Sequence, residues 1–377
     1  MDSGAFLHVP LLDLRAQYAS LAERLAPAIE RVIAAQRFLL GPEVEAFEAA
    51  AAEFLGTRHA IGVSSGSDAL VCALLALGVG PGDEVITPPF SFFASVESIV
   101  RVGARPVFVD IDPETFSLDV DGVRAALGPR TRAVLVVHLY GQPARVDELV
   151  ALAAPHGVPV VEDAAQAFGA RLHGRNVGTF GALGCFSFQP TKPLGAFGDA
   201  GMVVTDDAEL AERCRRARVH GAIGKHQHAS VGGNYRMDAL QGAVLREKLA
   251  HLPEWLARRR AHARAYSEAL TGLEDLVVPA VAPGAEPSGA LYTIRVRNGR
   301  RDALGRALAE RGVETAVHYP LALHRQPALL ALGLGAPEGA CPVAEQASRE
   351  VLSLPVHPEL SEAAHAHVVR SLFACLR

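Results

Sequence analysis

Four segments of the chain carry residue types that could do chemistry together. Lys192 lies in CFSFQPTKPLGAFGDAG (residues 185–201), among aromatic, proline and glycine residues with few charges. A lysine drawn partly out of water loses its proton more easily and becomes a better amine nucleophile. A lone lysine is ordinarily a solvated surface charge, but here an apolar strand comes before it and glycines follow closely. In VPVVEDAAQAFG (residues 158–169) an apolar strand ends in two carboxylates, with Asp163 at its terminus. A buried carboxylate needs a cationic partner. A protonated pyridine nitrogen is one, and pairing there keeps such a ring an electron sink; a helix-capping Asp is the plainer reading. In VSSGSDAL (residues 63–70), Gly66 lets the backbone approach a ligand, and Ser67 offers a cap and a hydroxyl at a helix N-terminus suited to a phosphate. A simple N-cap accounts for that segment equally well. Ser187, five residues before Lys192, could meet the same phosphate. An aromatic from TPPFSFFA (residues 87–94) could stack on a flat ring, or belong to the core.

These residues need elements that bring them to one place. Short apolar runs predict strands at 84–87, 106–109, 133–137, 159–161, 185–188 and 202–205. Helical spacing over 67–77, 93–102, 145–154 and 207–219 falls between them. Runs apolar on both faces, alternating with helices, predict an α/β fold with a mostly parallel sheet covered on both sides. In such sheets ligands sit at the carboxyl ends of the strands, where these polar groups fall. Leu21, Leu25, Ile29, Val32 and Ile33 predict an N-terminal helix that Pro27 starts or bends. The stretch 221–233 reads as a mobile loop. A long helix over 240–270, interrupted at Pro253, is expected to link a large domain (1–250) to a smaller C-terminal α+β domain (251–377). That domain should hold a strand at 292–296 and a helix at 301–311, with a loop over 279–289.

In this order the segments resemble the DegT/StrS-type nucleotide-sugar aminotransferases, a branch of the fold type I enzymes that use pyridoxal phosphate (PLP). The most specific pieces are SSGSDAL, VEDAAQAFGA, FSFQPTKPLGAFGDAG and GGNYRMDALQGAV, within a likeness that runs from LLDLRAQY (residues 11–18) to HYPLALHRQPAL (residues 318–329). The resemblance implies that Lys192 is the Schiff-base lysine and proton carrier. It implies that Asp163 pairs with the pyridine nitrogen, that Gln166 lies near the phenolic oxygen and that Phe92 stacks on the ring. Gly66, Ser67 and Ser187 match phosphate contacts. Asn234 matches a phosphate contact from a second subunit, so a homodimer with shared sites is implied. Arg236, His318 and Tyr319 match substrate contacts. The implied reaction passes nitrogen from glutamate to the keto group of a nucleotide-linked sugar. Carbon 3 is the expected position, as in UDP-linked 3-keto-glucuronates or dTDP-linked 3-keto-6-deoxyhexoses, with carbon 4 the alternative. The chain departs from the family pattern at Ala322, often Pro, and at Phe168, where many members have His; both are expected to bear on substrate choice.

Other classes fit less well. A related PLP enzyme that removes a sugar hydroxyl has His in place of the lysine, together with clustered cysteines for an iron–sulfur centre. Here the lysine is present, and the five cysteines are scattered without a C-x-x-C pair. A regulator or binding protein on the same scaffold has no need of the amine. A dinucleotide oxidoreductase would need its glycine fingerprint after a strand, whereas GVGPGDE (residues 78–84) follows a helix. His226 and His228 sit in a polar stretch with no third ligand in register, so no metal is expected. The net charge of −5 and pI near 6.3 provide no basic footprint for nucleic acid. No apolar run is long enough to span a membrane, the first residues do not read as a signal peptide, and the cysteine usage suits a reducing compartment. A cytoplasmic enzyme is the expectation.

Overall fold

The structure, a computed structural model, describes residues 7–376. Helix α1 (Leu14–Ala35) starts where the Asp13 carboxylate accepts from the Ala16 N–H, and it runs through Pro27. Helix α2 (Pro42–Leu55) begins with Pro at a position where no intrahelical N–H bond is lost. The chain then alternates: β1 (His59–Val63), α3 (Gly66–Ala76), β2 (Glu84–Thr87), α4 (Phe93–Arg101), β3 (Arg105–Phe108), α5 (Val120–Ala126), β4 (Thr131–Val137), α6 (Val146–Ala153) and β5 (Val160–Asp163). A short hairpin, β6 (Arg171–Leu172) and β7 (Arg175–Asn176), precedes β8 (Leu183–Ser187), β9 (Gly201–Thr205) and α7 (Ala208–Ala217).

The central sheet has seven strands in the order β1-β9-β8-β5-β4-β2-β3. Its neighbours are parallel except at β9, which runs antiparallel to β1 and β8. Side chains alternate between two cores, as the period of a strand requires. Val134 and Val136 of β4 face one core with Leu25, Phe47 and Val244, while Ala133, Leu135 and Val137 face the other with Leu70, Leu74 and Cys214. The expected parallel sheet with both faces covered is what forms. The edge strand β1 is not among the strands the apolar runs predict, nor is α2 among the helices.

The stretch 221–233 does not lie in a plain loop. It holds a hairpin, β10 (Ala222–Gly224) paired with β11 (Gln227–His228), on which His228 Nδ1 meets the His220 carbonyl at 2.9 Å. The expected helix over 240–270 is two helices, α8 (Ala239–Leu249) and α9 (Leu252–Leu270). The break comes before Pro253, which takes the first turn of α9, where a missing N–H costs nothing. Beyond it lie β12 (Leu276–Val277), β13 (Ala285–Glu286), β14 (Tyr292–Val296), α10 (Arg301–Glu310), α11 (Pro327–Ala331), α12 (Pro342–Glu350), β15 (Val351–Leu354) and α13 (Glu362–Leu376). Strand β13 pairs with β6, so the 279–289 segment is not wholly loop.

A third core joins Tyr266 of α9 to β12, β14 and β15, α10 and α13, and takes in Val9. Trp255 and Leu256 at the start of α9 belong instead to the first core, and Ala322, Cys341 and Ala344 to the second. We propose that the third core is the smaller domain, tied to the sheet by α9. The N-terminal Val9 and the return of α12 to the large core make its boundary less simple than a cut at residue 250.

Candidate active site

The carboxyl ends of the parallel strands open on a cavity of about 400 Å³. Its lining includes Gly66, Ser67, Phe92, Asp163, Gln166, Ser187, Lys192, His318 and Tyr319. Nine of the eleven residues singled out in the sequence are thus brought together by the topology. Seven of them arrive from a strand end or the turn after it: β1 into α3, β2 into α4, the end of β5, and β8 into the Lys192 loop; His318 and Tyr319 come from the segment between α10 and α11.

Asp163 is buried, 5% exposed. Its Oδ2 accepts from the Ser95 hydroxyl at 2.7 Å and its Oδ1 from the Ala165 N–H at 3.2 Å. Burial raises its pKa; the Ser95 and Ala165 bonds, then Lys192 and His138, oppose that shift. Burial lowers the pKa of Lys192, with Asp163 pulling the other way. The amine is therefore shifted toward its neutral, nucleophilic form, while the carboxylate has room for a stronger cationic partner than the chain supplies.

A closed network fixes the strand that carries Asp163. His138, at the end of β4, accepts from the Ala144 N–H through Nδ1, so Nε2 carries the proton and donates to Glu162 Oε2 at 2.9 Å. Glu162 also accepts from the Gly178 and Gly181 N–H groups, each at 2.6 Å. Both side chains are fully buried. Three donors satisfy this carboxylate within the chain, which leaves Asp163 as the one of the pair that faces the cavity.

Where α3 meets the cavity, its cap is Ser65, not Ser67: the Ser65 hydroxyl accepts from the Asp68 N–H at 3.1 Å. Ser67 lies in the first turn, where N–H groups have no intrahelical acceptor, and its hydroxyl is left to the cavity it lines. Gly66 is needed for close approach, since a Cβ there would meet the Ser187 Cβ at 2.6 Å. Phe92 is more than half exposed, with its ring 5.9 Å from that of Tyr319. That is an aromatic on a cavity wall, not in the core. Gln166 accepts from the Tyr140 N–H at 2.5 Å and donates to the Tyr319 hydroxyl at 3.3 Å. The Tyr140 hydroxyl donates to the His318 carbonyl, and His318 Nδ1 meets the Ser353 hydroxyl at 3.0 Å. Burial, then Lys192, lowers the His318 pKa.

Asn234 and Arg236 are not part of this cavity's lining. The Arg236 Nε donates to Asn234 Oδ1 at 2.9 Å, and both lie in the extended segment that bridges Val219 and the edge strand β1. Phe168 and Ala322 also lie elsewhere than expected. Phe168 is 2% exposed and stacks on Phe54 at 5.5 Å, and Ala322 is buried in the second core; neither is part of this cavity's lining. Sequence reasoning missed Ser95, His138 and Ser65. His138 carries the same signal that marked Asp163, a polar residue ending an apolar strand; Ser95 lies three residues past Phe92 in the first turns of α4 and has no comparable mark.

A buried carboxylate short of a cationic partner, an amine shifted toward neutrality, a glycine turn at the N-terminus of α3 and an aromatic wall fit PLP, and the fold is that of the fold type I PLP-dependent enzymes. The sequence profile of the DegT/DnrJ/EryC1/StrS aminotransferase family matches residues 19–373, and the chain belongs to that family. It is 47% identical over 97% of its length to a pleiotropic regulatory protein of Geobacillus stearothermophilus, and covers 98% of that protein. It is 49% identical over 93% of its length to the dTDP-3-amino-3,4,6-trideoxy-alpha-D-glucose transaminase of Streptomyces venezuelae, and covers 92% of it. The crystal structure of S. venezuelae DesV in complex with a ketimine intermediate superposes with a TM-score of 0.95 at 47% identity, covering 98% of this chain and 99% of that one.

Proposed function

We propose that this aminotransferase moves an amino group from glutamate to the C3 keto group of a nucleotide-linked sugar, such as a dTDP-linked 3-keto-6-deoxyhexose or a UDP-linked 3-keto-glucuronate. The observation that carries the catalytic reading is the placing of Lys192 and Asp163 on one cavity at the sheet's carboxyl edge. The similarity to a sugar transaminase named for a 3-amino product supports the position. The alternative of a regulator on this scaffold is disfavoured by the amine and carboxylate, which binding alone does not require.

PLP bound there supplies an electron sink through which nitrogen passes to and from a substrate carbon. The chain's own residues do the rest. Lys192, whose amine burial shifts toward the neutral form, would hold the cofactor covalently and, once released, carry a proton to and from the reacting carbon. Asp163 would offer its negative charge to the ring nitrogen. Gly66, Ser67 and Ser187 would hold the phosphate, Phe92 would pack on the ring, and Gln166 would serve the phenolic oxygen. His318 and Tyr319 bind and orient the sugar nucleotide.

Asn234 serves the site from the other subunit of a homodimer in this reading, which its place outside its own chain's cavity supports, and Arg236 is a substrate contact. Mixing Lys192→Ala and Asn234→Ala subunits tests it: heterodimers should recover one working site, and no recovery refutes the shared arrangement. A mass-spectrometric assay with glutamate and a panel of dTDP- and UDP-linked 3-keto and 4-keto sugars tests the substrate; preference for a 4-keto sugar contradicts the C3 reading.

A further inference from the structure

The loop that presents Lys192 is closed at its base, where the Ala196 N–H donates to the Phe188 carbonyl at 2.7 Å, and within it the Lys192 N–H donates to the Gln189 carbonyl at 2.9 Å. Its far limb packs on itself so closely that a Cβ on Gly195 would meet the Pro190 carbonyl oxygen at 2.4 Å. That limb is gripped from outside by α8. Gln241 accepts from the Phe197 N–H at 2.8 Å and reaches the Phe197 carbonyl at 3.4 Å. Lys248, seven residues and so two turns further along the same face, donates to the Gly195 carbonyl at 2.7 Å and to Gln17 Oε1 at 3.0 Å. Its ammonium also lies 4.8 Å from the centre of the Phe197 ring. Gln17 in turn donates to Glu359 at 3.3 Å, so the grip extends from the Lys192 loop through α1 to the C-terminal segment.

Lys248 is 2% exposed, and burial draws its pKa down to about 8 while Glu359 opposes the shift. A methionine of similar length would fill the space without that desolvation cost. What the lysine adds is donors for the loop's carbonyl. We infer that the Gln241–Lys248 face of α8 is a positioning element for Lys192, holding the backbone of its loop so that the amine stands in a fixed relation to Asp163. The inference rests on Lys192 being the reactive amine.

The test uses the full chain freed of cofactor, with added PLP and borohydride trapping, so that attachment at Lys192 is counted by peptide mass as a function of time. Lys248→Met and Gln241→Leu should each slow attachment about tenfold or more, the scale on which a small misplacement slows a bound reaction. The reloaded variants should lose kcat by a similar factor per bound cofactor, with the KM for the sugar nucleotide within about twofold of wild type. Gln241→Glu keeps the acceptor for the Phe197 N–H and should recover most of the rate. Folded Gln241→Leu with wild-type attachment and kcat overturns the inference, as does a loss of activity that only follows lost cofactor. If Lys248→Met fails to fold, the Gln241→Leu and Gln241→Glu pair decides alone. Full transamination by Lys192→Ala would instead sink the assignment of the amine itself.

Discussion

Replacing Asp163 with Asn separates what the carboxylate does for the cofactor from what it does to the fold. The asparagine keeps the local bonding: its oxygen accepts from the Ala165 N–H, its amide donates to the Ser95 oxygen, and the Ser95 proton turns to Ser91, 2.9 Å away. Only the charge is lost. Without cofactor the folded chain holds this carboxyl at a raised pKa, chiefly through burial. A group whose folded pKa is raised contributes stability below its unfolded pKa and loses it as pH rises through the folded value. At pH 7, above the unfolded pKa, burying this carboxyl therefore works against the fold, and cofactor-free Asp163→Asn should melt at or above the wild-type temperature. The loaded enzyme should respond in the opposite sense. Losing a hydrogen bond to a charged group costs about 1.5–3 kcal/mol, or roughly tenfold to 150-fold in cofactor affinity and in the rate of the half-reaction with glutamate. Calorimetry of both forms and a stopped-flow half-reaction read the two effects. A cofactor-free variant that melts lower, together with a wild-type half-reaction, would show that the Asp163 charge neither strains the empty fold nor serves the cofactor.

Other outcomes follow from the same geometry. Gly66→Ala should weaken PLP binding by about tenfold or more, because its Cβ would force α3 away from Ser187; equilibrium dialysis measures it. Glu162→Gln turns an amide toward one of three donors, leaving a buried group unpaired, and should lower stability by about 1–3 kcal/mol in denaturant titration. The rate of PLP attachment to the cofactor-free chain should rise with pH to a midpoint below that of an ordinary lysine, since burial lowers the Lys192 pKa; a midpoint at or above about 10.4 contradicts this.

The parts of the fold legible in the sequence were those that a local pattern encodes. Strands buried on both faces read as continuous apolar runs, so the parallel β2, β4 and β5 and the antiparallel β9 stand out, and an aspartate ending such a strand, or a lysine in the turn beyond one, draws notice. What depends on long-range packing was not legible. Nothing local says that Ser95 will reach Asp163 across 68 residues, or that Phe168 points into an aromatic core and not at the substrate. The Lys248 grip on Gly195 spans 53 residues and is visible only once α8 is docked. Asn234 and Arg236 are matched by motif alone, and the single chain brings neither into its own cavity.

Whether the Lys192 side-chain amine carries the cofactor is read by borohydride reduction of the holoenzyme followed by peptide mass mapping. One reduced pyridoxyl adduct per chain is expected, on the peptide containing Lys192, and none in Lys192→Ala. An adduct on another lysine, or an unlabelled Lys192 in a fully active enzyme, would contradict this role for Lys192.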